Sequence, residues 1–493
     1  MARATLTPPA TRTEPRPRAA SALERAPWPA LALLALVAGA VALFVAYPTF
    51  PNYDSYYSLL WGKELLHGTR PSFEAYRAPT EHPLAIAFGA LLSLLGDGAD
   101  RVMVGATFAS FVALAVGMYE LGRRSFGVLA GLVAGALVCT RFDFPFLALR
   151  AYIDIPYLAL VVWAAALEAT RPRRGVAVLA LLTAAGLLRP EAWLLAGLYW
   201  LYLFPHATWP QRVRLAALTA LAPLAWAGLD LAVTGDPLFS LTHTSGLAEE
   251  LGRSRGLSSV PRSTVRFLQG LDKAPVLAGG VVGVVLAATL FRARSRVPLA
   301  LLGAGLGTWV LVTVSGLSVI FRYLLVPALM IMVFAALAIT GWTLLERGTR
   351  ARRWWALAAG LLVAYGVVFT VTRVTPSHFT TELTFRGRSH ESLVALFDDP
   401  RVRAAMRCGP ISVPNHRLVP EVRWIAGAGE DGVLPRSDRT RRRQVRRGVA
   451  IYAADREALR RFGYSPDPIR VAIPMKGFER IAVERYFSAY ARC

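Results

Sequence analysis

The sequence predicts an α-helical polytopic membrane protein of about eleven transmembrane helices, with a small α/β domain at its C-terminal end. Three observations carry this prediction. The chain is 493 residues long and 55% hydrophobic, with mean hydropathy +0.43, and many of its apolar runs approach or exceed the ~18 residues that suggest a membrane span. Its net charge of +23 comes almost wholly from arginines, and these punctuate the apolar runs. Beyond residue 372 the long apolar runs stop, and short helical and strand patterns take over. A soluble core could not hold so many spans. The placement of the arginines between runs also argues against a nucleic-acid partner and for orientation signals in a membrane.

The first 27 residues, including TPPATRTEPRPRAAS, are Pro-rich and charged, the composition of a disordered cytoplasmic tail. Pro27 to Tyr47 is too long for a cleaved signal peptide and has no small-residue cleavage site before a mature domain, so it is a retained span. The predicted spans are 28–48, 102–121, 127–140, 154–170, 175–188, 191–205, 213–233, 275–291, 297–315, 321–345 and 354–372. The apolar piece Pro83 to Leu95 is too short for a comfortable span and fits a re-entrant or interfacial segment.

The arginines decide that last point. If 83–95 does not cross, the clusters Arg123-Arg124, Arg171/Arg173/Arg174, Arg212/Arg214, Arg292/Arg294/Arg296 and Arg347/Arg350/Arg352/Arg353 all face the cytoplasm with the basic N-terminus. If it crosses, they all lie outside, against the positive-inside rule. The domain plan is therefore a tail (1–27), a membrane domain (28–372) with a first outer loop over 49–101, and an extracytoplasmic α/β domain (373–493). Further outer loops fall at 141–153 and 234–274; the latter begins TGDPLFSLTHTSG, where Asp236-Pro237 fits a turn.

In the last domain ESLVALF and DREALRRFG have helical patterns, while CGPISVP, GVAIYAA and FERIAVERYFSAYARC have strand patterns. Cys408 and Cys493 fall here. Outside the cytoplasm they can oxidise, and a disulfide joining the last strand to an early one is expected over two free thiols. Cys139, in a span, is expected only to pack.

The stretch NYDSYYSLLWGKELLHG, Asn52 to Gly68, opens the first outer loop. Tyr57, Leu60, Trp61 and Leu65 follow helical spacing and are expected to face lipid at the interface. Asp54, at the helix start, has two compatible readings: an N-cap, or a general base facing a cavity just above the membrane. Asp154, before Pro156 at the mouth of the fourth span, is likewise a helix start or a carboxylate facing a wet cavity, with Arg150 one turn away as a partner. Asp143 is a further acid in that loop. Arg101, Arg189 and Arg322 gather on the outer side with Glu191. Each alone can be a snorkelling side chain, but together they suit an anion such as a lipid-carrier phosphate.

NYDSYYSLLWGKELLHG, EHPLAIAFGALLSLLG, DRVMVGATFASFVALAVGMYELGRRSFG, IDIPYLAL, GLLRPEAWLL and FRYLLVPALM run in an order that resembles GT-C superfamily glycosyltransferases, over roughly residues 28–345. The likeness is to the protein O-mannosyltransferase and lipid A aminoarabinose transferase branch, the family 39-like glycosyltransferases. It implies a polyprenyl-phosphate sugar donor and transfer outside the cytoplasm, with Asp54 catalytic and Asp154 assisting or helping to hold a metal. It also implies that Arg101 and Arg322 lie near the donor phosphate. Where relatives often show a basic residue and two prolines, this chain has Glu81-His82-Pro83-Leu84. His82 in place of the cation, a Glu81–His82 metal pair, and a histidine without a role all stay open there. A divalent cofactor stays open too, for the second loop lacks an Asp-x-Asp pair.

The resulting expectation is an inverting transferase of a bacterial plasma membrane that moves a sugar to a glycan, lipid or protein hydroxyl. The main rival is a transporter or flippase of a lipid-linked or anionic substrate. It accounts for the arginines but not for the large first loop or the added outer domain.

Overall fold

The computed structural model describes residues 28–250, 258, 260–317, 319–462 and 471–493. The predicted disordered tail lies outside them, as does part of the third outer loop. In chain order the membrane-domain helices are α1 (Trp28–Ala46), α2 (Tyr53–Leu66), α3 (Pro83–Ser93), α4 (Ala99–Phe126), α5 (Val128–Thr140), α6 (Asp143–Leu149), α7 (Asp154–Thr170), α8 (Val176–Leu188), α9 (Glu191–Leu203), α10 (Trp209–Thr234), α11 (Phe239–Glu250), α12 (Val260–Thr289), α13 (Arg292–Val314), α14 (Leu325–Thr340) and α15 (Arg350–Arg373).

Among the described residues seven helices are long and apolar enough to cross a membrane, namely α1, α4, α10, α12, α13, the unit Phe321–Leu344 around α14, and α15. The pair α5 and α6, bent by 62°, makes an eighth if it is one broken span. The chain is a multi-pass membrane protein. The predicted spans at 127–140, 154–170, 175–188 and 191–205 are real helices of 13, 17, 13 and 13 residues. They fall short of the ~20 residues that cross a bilayer core, and chain that leaves the helix near membrane depth is tolerated where protein covers its polar groups. α12 starts earlier than expected and breaks at Lys273, whose φ is 63°. α14 is the hub, nearly all buried, whereas α1 lies at the rim.

Local signals explain the ends. Thr208 and Gln211 form a capping box that opens α10, and Gly235, left-handed at φ 81°, closes it. α2 crosses α3 so closely that a Cβ on Gly62 or Gly89 would run into the backbone of Ala90 or Ser58. This contact corrects one expectation. Tyr57, Leu60 and Trp61 do not face lipid; all three are buried, and only Leu65 is exposed. Tyr57 and Trp61 pack with Phe73, Ala78 and Ile86 from the loop and α3. The periodicity defines an apolar face, and the rest of the first loop folds over it.

The C-terminal domain adds helices α16 (Pro376–Asp398), α17 (Pro400–Ala405), α18 (Val419–Ala426), α19 (Arg439–Gln444) and α20 (Arg456–Phe462), and strands β1 (Ile411–Val413), β2 (Val433–Pro435), β3 (Gly448–Ala453), β4 (Glu479–Val483) and β5 (Phe487–Arg492). The sheet order is β2-β1-β3-β5-β4. β1 runs parallel to β2 and β3, and β5 runs antiparallel to β3 and β4. The stretch FERIAVERYFSAYARC, expected as one strand, is thus the hairpin β4–β5. Leu396, Val413, Val422, Ile451 and Phe487 centre the domain core, and Cys408 and Cys493 form a disulfide.

This domain sits on the first loop, so both lie on one side of the membrane. Arg423 of α18 donates to Glu64 Oε1 at 2.7 Å and to Ser72 Oγ at 3.1 Å. His390 of α16 stacks on Phe50 with centroids 3.4 Å apart and pairs with Glu421 at 2.8 Å. Tyr56 donates to Asp100 Oδ2 at 3.2 Å and lies 3.3 Å from His390 Nδ1.

Candidate active site

Two helix starts are stitched together by their backbones. Asn52, not Asp54, caps α2: its Oδ1 accepts from Asp54 N at 2.7 Å and from Ser55 N at 3.3 Å. Asn52 N and Nδ2 both donate to Arg150 O, at 2.8 and 3.2 Å, and Ser55 Oγ donates to Ala151 O at 2.5 Å. Ala151 turns the chain at φ 53°, and α7 then begins at Asp154. The sequence-based pairing of Arg150 with Asp154 is therefore replaced by a backbone tie to Asn52. With the cap supplied by Asn52, the Asp54 carboxylate is free to turn elsewhere.

It turns to Arg322, in the 3₁₀ turn Phe321–Leu324 before α14. Arg322 Nη1 and Nη2 donate to Asp54 Oδ2 at 2.9 and 3.1 Å. The same Nη1 lies 3.6 Å from Asp154 Oδ2, so the gap between the two carboxylate oxygens is at most the sum of those two distances to one nitrogen. Arg189, in the turn between α8 and α9, donates to Asp154 Oδ1 and, at 2.6 and 3.1 Å, to Glu191 Oε1. The Arg189 guanidinium lies near the rings of Tyr157 and Tyr323, 5.8 and 5.5 Å from their centroids. Asp154 is wholly buried, whereas the side chains of Asp54 and Arg322 are 17% and 20% exposed. The open edge of the node is therefore the Asp54–Arg322 edge. A narrow cavity of about 10 Å³, room for roughly one water, touches Arg322, Glu191, Tyr157 and Tyr323.

Three carboxylates face two guanidinium groups here, so an entering anion must displace a carboxylate from an arginine or bring a cation. His82 supplies no charge. Burial, then Arg189 and Arg322, lower its pKa well below the usual imidazole range. Its ring rests edge-on against Trp226, 5.6 Å between centroids. Glu81 is buried beside Ser240 and Asp230; burial pushes its carboxyl up to about 8 despite Ser240. Among the described residues no three His, Cys, Asp or Glu side chains gather as a metal-binding group.

Asp54, Asp154, Arg189, Glu191 and Arg322 come together in this node. Two other singled-out residues do not. Arg101 donates to Thr49 O at 2.8 Å and to Phe44 O, and lies over the Phe44 ring at 3.7 Å; it ties the end of α1 to the start of α4. Asp143 sits instead with Lys273 and Asp272, and Arg141 donates to Asp272 O at 3.2 Å. The tyrosine walls and the Asn52–Arg150 tie were not foreseen, although Asn two residues before an acid at a helix start is itself a capping signal.

No protein-family profile matches the chain, and no curated protein sequence matches it. Solved structures do. ArnT from Cupriavidus metallidurans in the apo state superposes with a TM-score of 0.54 at 13% identity, covering 94% of this chain and 98% of that one. The chain shares the fold of that structure. A second match is the archaeal oligosaccharyltransferase AglB from Archaeoglobus fulgidus in complex with an inhibitory peptide and a dolichol-phosphate: TM-score 0.52, 11% identity, 86% of this chain and 69% of that one. A third is the apo oligosaccharyltransferase of the same organism: TM-score 0.54, 11% identity, 92% and 73%. At these identities the likeness concerns the fold alone, and the chemistry rests on the node.

Proposed function

We propose that this GT-C protein transfers a sugar from a polyprenyl-phosphate carrier to an acceptor hydroxyl, on the extracytoplasmic face of a bacterial plasma membrane. The observation that carries the reading is the shared hold of Asp54, from the first loop, and Asp154 on Arg322, at the partly exposed edge of the node.

The carrier tail lies among the spans and its phosphate meets Arg322 and Arg189, where positive charge stabilises the leaving phosphate. The phosphate competes with Asp54 for Arg322, which frees the Asp54 carboxylate. Asp54 then takes the proton of the acceptor hydroxyl as that oxygen bonds the anomeric carbon. The bond from that carbon to the phosphate oxygen breaks, and the electron pair leaves with the carrier phosphate. One displacement inverts the configuration. Asp154, locked by Arg189, positions Arg322. Glu191 keeps Arg189 in place, and His82 and Glu81 border the node as neutral groups. If a divalent cation takes part, Asp54 and Asp154 are its nearest donors, and it would neutralise phosphate charge.

The test uses the purified protein in nanodiscs with a panel of polyprenyl-phosphate hexoses and pentoses. Asp54→Asn is expected to cut transfer by about 10²- to 10⁴-fold while still binding donor. Full activity in the variant refutes the base assignment. Carrier movement across the bilayer without sugar transfer favours the transporter or flippase reading.

A further inference from the structure

The α/β domain holds a second concentration of arginines, unlike the node. Arg439, Arg442, Arg443 and Arg446, from α19 and the turn after it, join Lys476 and Arg492 around a cleft of about 610 Å³. Among the described residues no carboxylate lines it. Its floor is rigid and apolar: Val445, Met475 and Phe478 belong to a small core with Leu434 and Tyr452. Six cations around one cleft, with no acid among the described lining residues, repel one another, an arrangement that makes sense where an anion completes it.

The cleft is joined to the first loop. Arg441, on the same short helix, lies over the Tyr76 ring at 4.6 Å. The next residue, Arg77, accepts at its carbonyl from Tyr53 Oη at 2.6 Å, and Tyr53 precedes Asp54. The short helix that lines the cleft with Arg442 and Arg443 thus also touches, through Arg441, the loop that carries the Asp54 helix.

We propose that this cleft binds an anionic acceptor glycan, one bearing phosphate or carboxylate groups along its chain, and presents its hydroxyl toward Asp54. The proposal rests on the transferase reading above. Concavity selects a glycan over a lipid surface: a planar bilayer headgroup layer meets a flat or convex basic patch, whereas a cleft this size encloses a few residues of a chain. Guanidinium forks suit phosphate and carboxylate oxygens, and the apolar floor suits the faces of sugar rings.

The experiment uses the full-length protein in phosphatidylcholine nanodiscs, titrated calorimetrically with an oligo(glycerol phosphate) and with an uncharged malto-oligosaccharide of equal length. The charged oligomer should bind and the neutral one should not. Replacing Arg442, Arg443 and Arg446 together by Ser should weaken binding roughly ten- to a hundredfold, while the triple Lys replacement retains most of it. Added salt should weaken binding further. Equal binding of the neutral oligomer, or unchanged binding by a folded triple-Ser variant, overturns the proposal. So does capture of phosphatidylglycerol vesicles in place of the oligomer, which would make the cleft a membrane contact. Polyprenyl phosphate alone is titrated in parallel. If it binds and the oligomer does not, only this proposal falls; if the oligomer binds and it does not, the donor reading falls.

Discussion

The node around Arg322 and the cleft around α19 use the same side chain in opposite ways. In the node, Arg189 and Arg322 are interlocked with Asp154, Glu191 and Asp54 and largely withdrawn from water. In the cleft, the arginines line an open cavity with no acid among the described lining residues. A buried, neutralised guanidinium holds geometry and yields only to a ligand that offers equivalent oxygens in the same place. An open, unneutralised one attracts many anions weakly and responds to salt. The difference suits a site that must place one bond and a surface that must hold a polymer.

The sharpest test of this contrast is one substitution made in both regions. Arg189→Met should destabilise the membrane domain by about 3–5 kcal/mol, because Asp154 and Glu191 lose their buried partner. Arg443→Met, in the cleft and exposed, should stay within about 0.5 kcal/mol, as an exposed change does. Thermal unfolding in nanodiscs reads both, and equal shifts would break the contrast. Next in size is the disulfide, whose half-cystines are 85 residues apart in sequence. Cys408→Ser with Cys493→Ser should cost the α/β domain about 2–5 kcal/mol, visible as earlier protease cleavage of that domain.

A smaller effect concerns the joint between the regions. Burial alone would raise the Glu421 carboxyl, but the His390 hydrogen bond and charge, with Arg150 and Arg386, outweigh it and hold the group below its ordinary value of 4.5. A depressed carboxylate contributes stability above its unfolded pKa and loses it as pH falls through the folded value. The hold of α18 on α16, through the His390 that stacks on Phe50, should therefore loosen below about pH 4.5, as faster hydrogen exchange in α18. Glu421→Gln should flatten that pH dependence, and an unchanged profile would remove Glu421 from the joint.

Much of the membrane architecture was legible because hydrophobic runs and arginine punctuation are local signals. Asp54, Asp154, Arg189, Glu191 and Arg322 could be singled out because each is a charge at the mouth of an apolar helix, where charge needs a reason. What they contact was not legible. Arg101 has the same sequence signature as Arg322, yet the end of α1 supplies carbonyls and a ring that absorb it. Tyr57 and Trp61 have the spacing of an interfacial face, and spacing does not say whether lipid or protein covers it. The link from Arg423 to Glu64 joins residues far apart in sequence, and no local pattern announces such a pair. The strand β2, three residues long, is too short for alternation to register.

The order of the sheet bears on how the protein is made. β5 lies between β3 and β4, so β4 has no neighbour until β5 arrives, and the edge of β3 stays bare meanwhile. The domain thus cannot assemble progressively as the chain is made. It must wait, with Val449 and Ile451 still lacking Phe487 in their shared core and Cys408 lacking Cys493, until the last residues of β5 have been made.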